Sequence, residues 1–586
     1  MKKTKYALSM LETNTNEEMT EARIYGACLY DMEKEKEKYF NNIADLIKFL
    51  SNKHADIMVY DLKFYGAFII DYLINNKYKQ LGQVEFLDKK FKKKSFNIIG
   101  DETGNIYSLT ILNDYTERYN YRTSRSTKEW KKISFYDIKK MLPVEFEKLG
   151  SIVDIANNYY INKINKQDNY IMNKEEKQHL LINCKIITKN KKVLDEEGLD
   201  RLSISSNAIN QYIKIHFYNK NNYRLILPEL DDKIDKFCRK AYRGGWTYAN
   251  PKYVNITDKE LYGVSYDINS MYPSIMYNDL LPCGEPVYFK GQYQEDKDYP
   301  LYIQKVHIEY LTLNKGHYPF IQVKDNIHYA DVNEYIDYAE DIILYLTNME
   351  IEMMKKSYHI VGITYMDGYK FRGTRELFKD YIDIYYEKKR TAKQGSAERE
   401  IAKLMLNSLY GKFASKTIRN EITYSMNDEG VINKQVDRYN TFTTSSYYTP
   451  LGVFITAYGR CKIVKSADDN YDKFLYSDTD SIHLNLREDE MFNANLNIDI
   501  KNSGELGLFK IEKIFTDSLF QGAKRYIEYA KEYGKDKYNW ELTCAGLPKK
   551  TKIKSKEDFK KGTAFKMDIA CRVKGGYLIK SEKYTI

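Results

Sequence analysis

The stretch YDKFLYSDTDSIHLNL, residues 471–486, sets two carboxylates, Asp478 and Asp480, into an apolar, strand-like run. Burying charge is costly unless something pairs it. Between Phe474 and Asn485 there is no Lys or Arg to do so, which makes a metal cation the natural partner. On a continuous strand, side chains two apart share a face about 7 Å from each other. In a tight Asp-Thr-Asp turn both would flank the same space. An Asx turn between two short strands uses the same three residues, so this stretch alone leaves a metal site and a plain turn both open.

Two other stretches carry groups that fit beside it. In VSYDINSMYPSIM, residues 264–276, an apolar run holds one carboxylate, Asp267, and then meets Tyr272-Pro273. A proline there is expected to end the strand, because it lacks an N–H and fixes φ. In REIAKLMLNSLYGKFA, residues 399–414, helical spacing puts Arg399, Lys403 and Asn407 on one face with Tyr410 near it, while Ile401, Leu404 and Met405 turn toward a core. Lys and Arg one turn apart can hold a triphosphate, and Tyr410 offers a flat face to a base. Two-metal phosphoryl transfer needs carboxylates that hold two cations about 4 Å apart. Asp267 and Asp480 are the candidate ligands, with Asp478 as a supporting carboxylate. Each stretch alone also reads as ordinary structure: a solvated strand end, an amphipathic helix.

The rest of the chain bounds these readings. Its 586 residues suffice for several domains. The net charge of +10 is concentrated in runs such as FLDKKFKKKSF and LPKKTKIKSKEDFKKG, which suit either a phosphate backbone or a solvated surface. Seven cysteines without C-x-x-C spacing and eight histidines argue against structural zinc and disulfides. No uncharged run approaches the ~18 residues of a membrane span, so the chain reads as soluble and intracellular. Residues 1 to about 205 alternate strand-like and helix-like runs, the pattern of a mixed α/β domain. Gly244-Gly245 permits close backbone approach, and a polar break near Gln394 and Gly395 makes the segment 374–416 an antiparallel helix pair.

The three carboxylate and helix stretches resemble motifs A, B and C of family B DNA polymerases, in family order. YRGG, LMLNSLYGKFA, YSDTDSIHL, GAKRY and CAGLPKK are more narrowly similar to the protein-primed branch, found in small phages with terminal-protein-capped linear genomes. The resemblance covers nearly the whole chain. It implies an exonuclease-like (ribonuclease H-like) α/β domain over 1–205, a palm in 206–276 and 449–548, and a first terminal-protein region over 277–375. Fingers over 376–411, a second such region over 412–448 and a thumb over 549–586 complete the hand. The resemblance also implies site roles. Asp267 and Asp480, with Ile268, hold two Mg2+ ions (Mn2+ a substitute), and Asp478 stands beside them. Tyr272 excludes ribonucleotides, Lys403 binds the triphosphate, and Asn407, Tyr410 and Gly411 line the nascent base pair. DNA contacts fall to Tyr242, Arg243, Gly244, Gly245, Ser270, Lys524, Tyr526 and Lys549. The implied partners are template-primer DNA, dNTPs and a terminal protein, the chain being a monomer or a heterodimer with that protein in the host cytoplasm.

The match fails in the first domain. The first proofreading motif should read Asp-x-Glu, but Met10 stands in the Asp place and only Glu12 remains. Asp61 and Tyr65 replace an expected Asn and Asp, and His179 and Asn183 an expected Tyr and Asp. Two carboxylates and a histidine are a poor cage for two hard cations, so hydrolysis is expected to be lost. Two rivals stand beside this reading: a polymerase with an altered 3′–5′ exonuclease, and a noncatalytic DNA-binding descendant of a polymerase. The second has no physical need to keep Asp267, Asp480 and Lys403 together.

Overall fold

In the computed structural model the described residues are all except 1–2, 121–124, 168, 323–334, 445–446, 502, 548–554, 560–562 and 586. Residues 4–137 build a mixed eight-stranded sheet. At its centre Thr4–Asn14 runs parallel to Ala55–Val59, which is in turn parallel to Arg125–Asp137. Both faces of the central strands are apolar and buried, as sequences such as TKYALSMLETN dictate. The helix Leu62–Asn75 covers one face, and Lys174–Glu196, which opens on an Asn173–Glu176 capping box, covers the other.

A second sheet of seven strands, antiparallel throughout, carries the acidic stretches. Gly263–Ile268 lies at its middle, between Ser481–Leu484 and Phe509–Gly522. The helix Thr449–Asp468 packs beneath and is buried on nearly every side, which matches its apolar composition all round. Residues 281–374 form a separate four-stranded sheet around the helix Asn348–Ser357. It is tied to the long helix by a buried ion pair, Arg460 with Glu350.

The helix pair is present as Lys379–Thr391 and Ala397–Ser408, broken at Gly395 with φ +80° and restarted by Ser396, whose side chain accepts from Arg399 N. Ile401 and Met405 are buried and Leu404 half-buried. NDEGVINKQVDRYN folds as a hairpin with strands Ile418–Met426 and Ile432–Thr443, and the GKDK stretch joins Arg525–Glu532 to Asn539–Cys544. The C-terminal hairpin pairs Ala564–Val573 with Gly576–Thr585. Three helices, Ile204–Phe217, Met271–Asn278 and Tyr410–Phe413, cross the joints expected at 205, 276 and 411.

One local reading is corrected. Pro273 does not end a strand: the strand stops at Ile268, and Pro273 lies in the first turn of the helix Met271–Asn278. That turn needs no donor from its first N–H groups and tolerates the fixed φ of proline.

Candidate active site

The turn reading of Asp-Thr-Asp holds. Asp478 pairs with Ser481, leaving Thr479 and Asp480 as a two-residue turn with Thr479 at φ +66°. A β-branched residue in the left-handed region is strained and persists only where its surroundings enforce it. Here they do: Thr479 N donates to Trp246 O at 2.7 Å, and a Cβ on Gly245 would lie 2.6 Å from Thr479 Cγ2. The close approach permitted by Gly245 is therefore used against the acidic turn. Arg460 donates to the carbonyls of Arg243 and Gly244 at 2.7 and 2.9 Å and so fixes the segment from below.

Asp267, at the end of the central strand, pairs in register with Ser481 on one side and Lys510 on the other, which brings it beside the turn. Ile268 N donates to Asp480 O at 2.8 Å. The Ile268 side chain is buried among apolar groups, leaving only its main-chain oxygen as a donor atom for a cation. Burial, and then the charge of Asp267, push the Asp480 carboxyl up to about 7. Burial also raises Asp267, against the opposing pull of Lys510.

No lysine lies within residues 474–485, but two of these carboxylates find one from elsewhere in the chain. Lys510 Nζ lies 3.0 Å from Asp267, and Lys524 Nζ pairs with Asp478. Asp478 Oδ1 also accepts from Thr247 Oγ1 at 3.1 Å. Among the described residues no three His, Cys, Asp or Glu side chains gather as a metal cage. What remains is the pair Asp267 and Asp480. Their oxygen donors and mutual repulsion suit a hard divalent cation.

The cation row lies beside them. Lys403 is exposed on its helix, and Arg399 donates to Lys389 O. Lys389 Nζ donates to Ser270 Oγ at 2.9 Å, and burial, followed by the charges of Lys510, Arg399 and Lys403, lowers it to about 8. Lys389 and Lys510 escaped the sequence reading. Lys389 ends a helix in the basic run EKKR, a detectable signal, whereas the position of Lys510 opposite Asp267 depends on strand register. Tyr272 and Tyr410 meet with ring centroids 4.0 Å apart, and Gly459 leaves space for the Tyr272 ring. Asn407 and Gly411 are exposed beside Tyr410. Tyr242 ends its helix as the C-cap residue. Lys524 N donates to Tyr476 OH at 2.9 Å, and the buried Tyr526 ring packs 4.7 Å from Tyr476. Lys549 lies outside the described residues.

The first domain gathers the degenerate positions differently. Glu12, Asp61, Tyr65 and Asn183 line one cavity of about 310 Å³ with Tyr60, Phe64 and Phe146. Met10 is instead buried in the core. Each of the two carboxylates has its own lysine: Lys163 at 2.8 Å from Glu12 and Lys139 at 3.0 Å from Asp61. His179 and Asn183 hydrogen-bond each other at 3.2 Å.

Comparison with known proteins agrees with this architecture. The family described as DNA polymerase type B, organellar and viral, matches residues 47–497. The DNA polymerase of Bacillus phage phi29 is 32% identical over 597 residues, 98% of each chain. That of Bacillus phage Nf is 33% identical over 512 residues, 84% of this chain and 82% of its own. The solved structure of phi29 DNA polymerase complexed with primer-template DNA and incoming nucleotide substrates is similar over 100% of both chains, with TM-score 0.88 and 29% identity. No helix among the described residues is long and apolar enough to cross a membrane. This chain belongs to the organellar and viral type B DNA polymerases and is a DNA-directed DNA polymerase.

Proposed function

We propose that the polymerase adds dNMP units to a primer 3′-hydroxyl at Asp267 and Asp480, with Mg2+ as the natural ion and Mn2+ as a substitute. The observation that carries this reading is the pair of mutually repelling carboxylates at one sheet end, beside the cluster of Arg399, Lys403, Lys389 and Lys510. Divalent cations bound there, with the Ile268 carbonyl as a further oxygen, supply the charge that activates the attacking hydroxyl and neutralises the leaving pyrophosphate. The protein's own work is positioning and electrostatics. Lys403 and Arg399 grip the triphosphate as point charge and fork. Tyr272 crowds the 2′-hydroxyl of a ribonucleotide, and Asn407, Tyr410 and Gly411 line the nascent pair. Tyr242 through Gly245, Ser270, Lys524, Tyr526 and Lys549 steady the primer and template, with Asp478 orienting Lys524.

In this reading, residues 206–276 and 449–548 are palm, 376–411 fingers and 549–586 thumb. The first domain keeps a grip on single strands without hydrolysing them, because lysines stand against the carboxylates that metals would need. Segments 277–375 and 412–448 meet a terminal protein, whose Ser, Thr or Tyr hydroxyl primes synthesis in the host cytoplasm. The family likeness supports that part.

The test is extension of a 5′-labelled primer on a longer template, with an Asp480→Ala control and a lane without dNTPs. Extension lost in the variant, with the primer intact where dNTPs are absent, is the expected outcome. Shortening of the primer without dNTPs would overturn the account of the first domain.

A further inference from the structure

The basic run FLDKKFKKKSF takes no part in the site described above. In the fold it packs against the outer end of the strands Ile106–Asn120 and Arg125–Asp137. Their neighbours in the sheet reach only to Leu112 and Ile133. From the Tyr115–Trp130 pair to the Asn120–Arg125 pair the two strands continue alone, a ribbon of about 17 Å. Two strands by themselves are marginal in water, and here four rings in a row brace the root of the ribbon. Phe86, Phe91, Trp130 and Tyr115 follow one another with centroids 5.3, 5.8 and 5.0 Å apart, all half-buried. Lys132 Nζ lies 4.3 Å from the Phe91 centroid, and Lys93 and Lys128 Nζ lie 4.9 and 4.5 Å from that of Tyr115.

Segments 84–94 and 113–132 hold eleven Lys and Arg against five Asp and Glu, an excess of six in a chain whose net charge is +10. Glu85, Asp88 and Asp114 pair with Lys92, Lys90 and Lys93. Lys128 stands opposite Glu117 in register but turns to the Tyr115 ring. Lys89 and Lys94 are exposed, and no ion pair holds either among the described residues. Burial, then the charges of Lys3 and Lys89, lower Lys132, the mark of like charges crowded on one surface. Trp130 lies seven residues of strand from Asp137, which abuts Asp61, so roughly 23 Å separate this patch from the cavity of Glu12 and Asp61. Its inner side touches the hairpin 418–443: Gln83 N donates to Glu421 Oε1, and Gln80 Nε2 to Ile422 O, both at 2.8 Å.

We propose that this patch holds the non-template strand, displaced as single-stranded DNA when the polymerase copies into a duplex. The charge excess fits a phosphate backbone. The row of rings selects a single strand, because only unpaired bases offer faces to stack on. The position selects the departing strand: primer and template must reach Asp267 and Asp480, whereas this patch lies at the outer end of the first domain's sheet.

The experiment is fluorescence anisotropy of the full chain on a primer-template with a downstream duplex, with and without a non-template 5′ flap of about twelve nucleotides. The flap is expected to tighten wild-type binding. The triple variant Lys89→Asn, Lys94→Asn, Lys128→Gln should lose about tenfold on the flapped DNA and nothing on the flapless one. Asparagine suits positions 89 and 94, where φ is +57° and +50°. The slope of log affinity against log salt should fall by about 2 in the variant, three single-strand phosphates. An abasic flap should bind the wild type several-fold more weakly than a flap with bases. Adding the flap should quench tryptophan emission in the wild type and not in Trp130→Phe. Equal losses on both DNAs would overturn the proposal. So would a flap made double-stranded, an abasic flap, or the same tail moved to the template's 5′ end, if any of these bound as tightly as the single-stranded flap.

Discussion

Lys510 holds Asp267 at 3.0 Å in a site whose other carboxylate, Asp480, has no such partner among the described residues. An ammonium there competes with any cation for the same oxygens. Lys510→Met is therefore expected to tighten Mn2+ binding several-fold in a direct titration of the DNA-free protein; unchanged or weaker binding would show that Lys510 does not compete. A second residue gives a pH prediction. Asp137 is fully buried, and burial together with the charge of Asp61 lifts its carboxyl to about 7. Between the unfolded value of about 4 and that of the folded protein, the folded state keeps a proton that the unfolded chain has released, so stability falls as pH rises through this window. Asp137 Oδ1 accepts from the backbone N–H of Asp61 and Lys139, and an amide oxygen can do the same. Asp137→Asn should thus raise Tm by a few degrees at pH 8 and by almost nothing near pH 4. An equal gain at both pH values would rule out titration as the cause.

At the scale of elements, the buried Arg460–Glu350 pair joins three pieces: the long helix, the capping turn of Asn348–Ser357, and the Tyr242–Gly245 segment that leans on the acidic turn. Glu350→Ala leaves a buried guanidinium uncompensated and should cost about 3–5 kcal/mol. Calorimetry tests the size, and a cost below about 1 kcal/mol, typical of an exposed pair, would show the pair to be solvated. The helix pair was legible because its periodicity and its polar break near Gln394 and Gly395 are local. The course of the strand before Pro273 was not: proline is equally at home after a strand and in a helix's first turn, and what separates the two is the Ser270 backbone at φ +53°.

Across the whole molecule, the C-terminal hairpin closes onto the first domain and onto the hairpin 418–443. Ala22 N donates to Lys574 O at 2.8 Å, Tyr577 stacks on Phe64 with centroids 5.6 Å apart, and Arg572 reaches Ile432 O. Val573, Leu578, Tyr424 and Ile432 share one core with the eight-stranded sheet. A Cβ on Gly576 would lie 2.4 Å from Phe68 Cδ1, so Gly576→Val should loosen this closure. If the closure retains DNA, products made in one binding event, with an excess of trap DNA, will be shorter while the rate of single-nucleotide addition is unchanged. Full-length products from the variant would show that retention lies elsewhere.

The sequence by itself determined the family and the order of the carboxylate and helix stretches, since each is written in contiguous residues. Only the tertiary structure decided what stands against each charge. Lys510 and Lys524 meet Asp267 and Asp478, and Lys163 and Lys139 meet Glu12 and Asp61, through sheet register and chain packing far from either partner in sequence. Electrostatics acts through space, so whether a carboxylate awaits a metal or already has its cation depends on neighbours that local pattern does not specify.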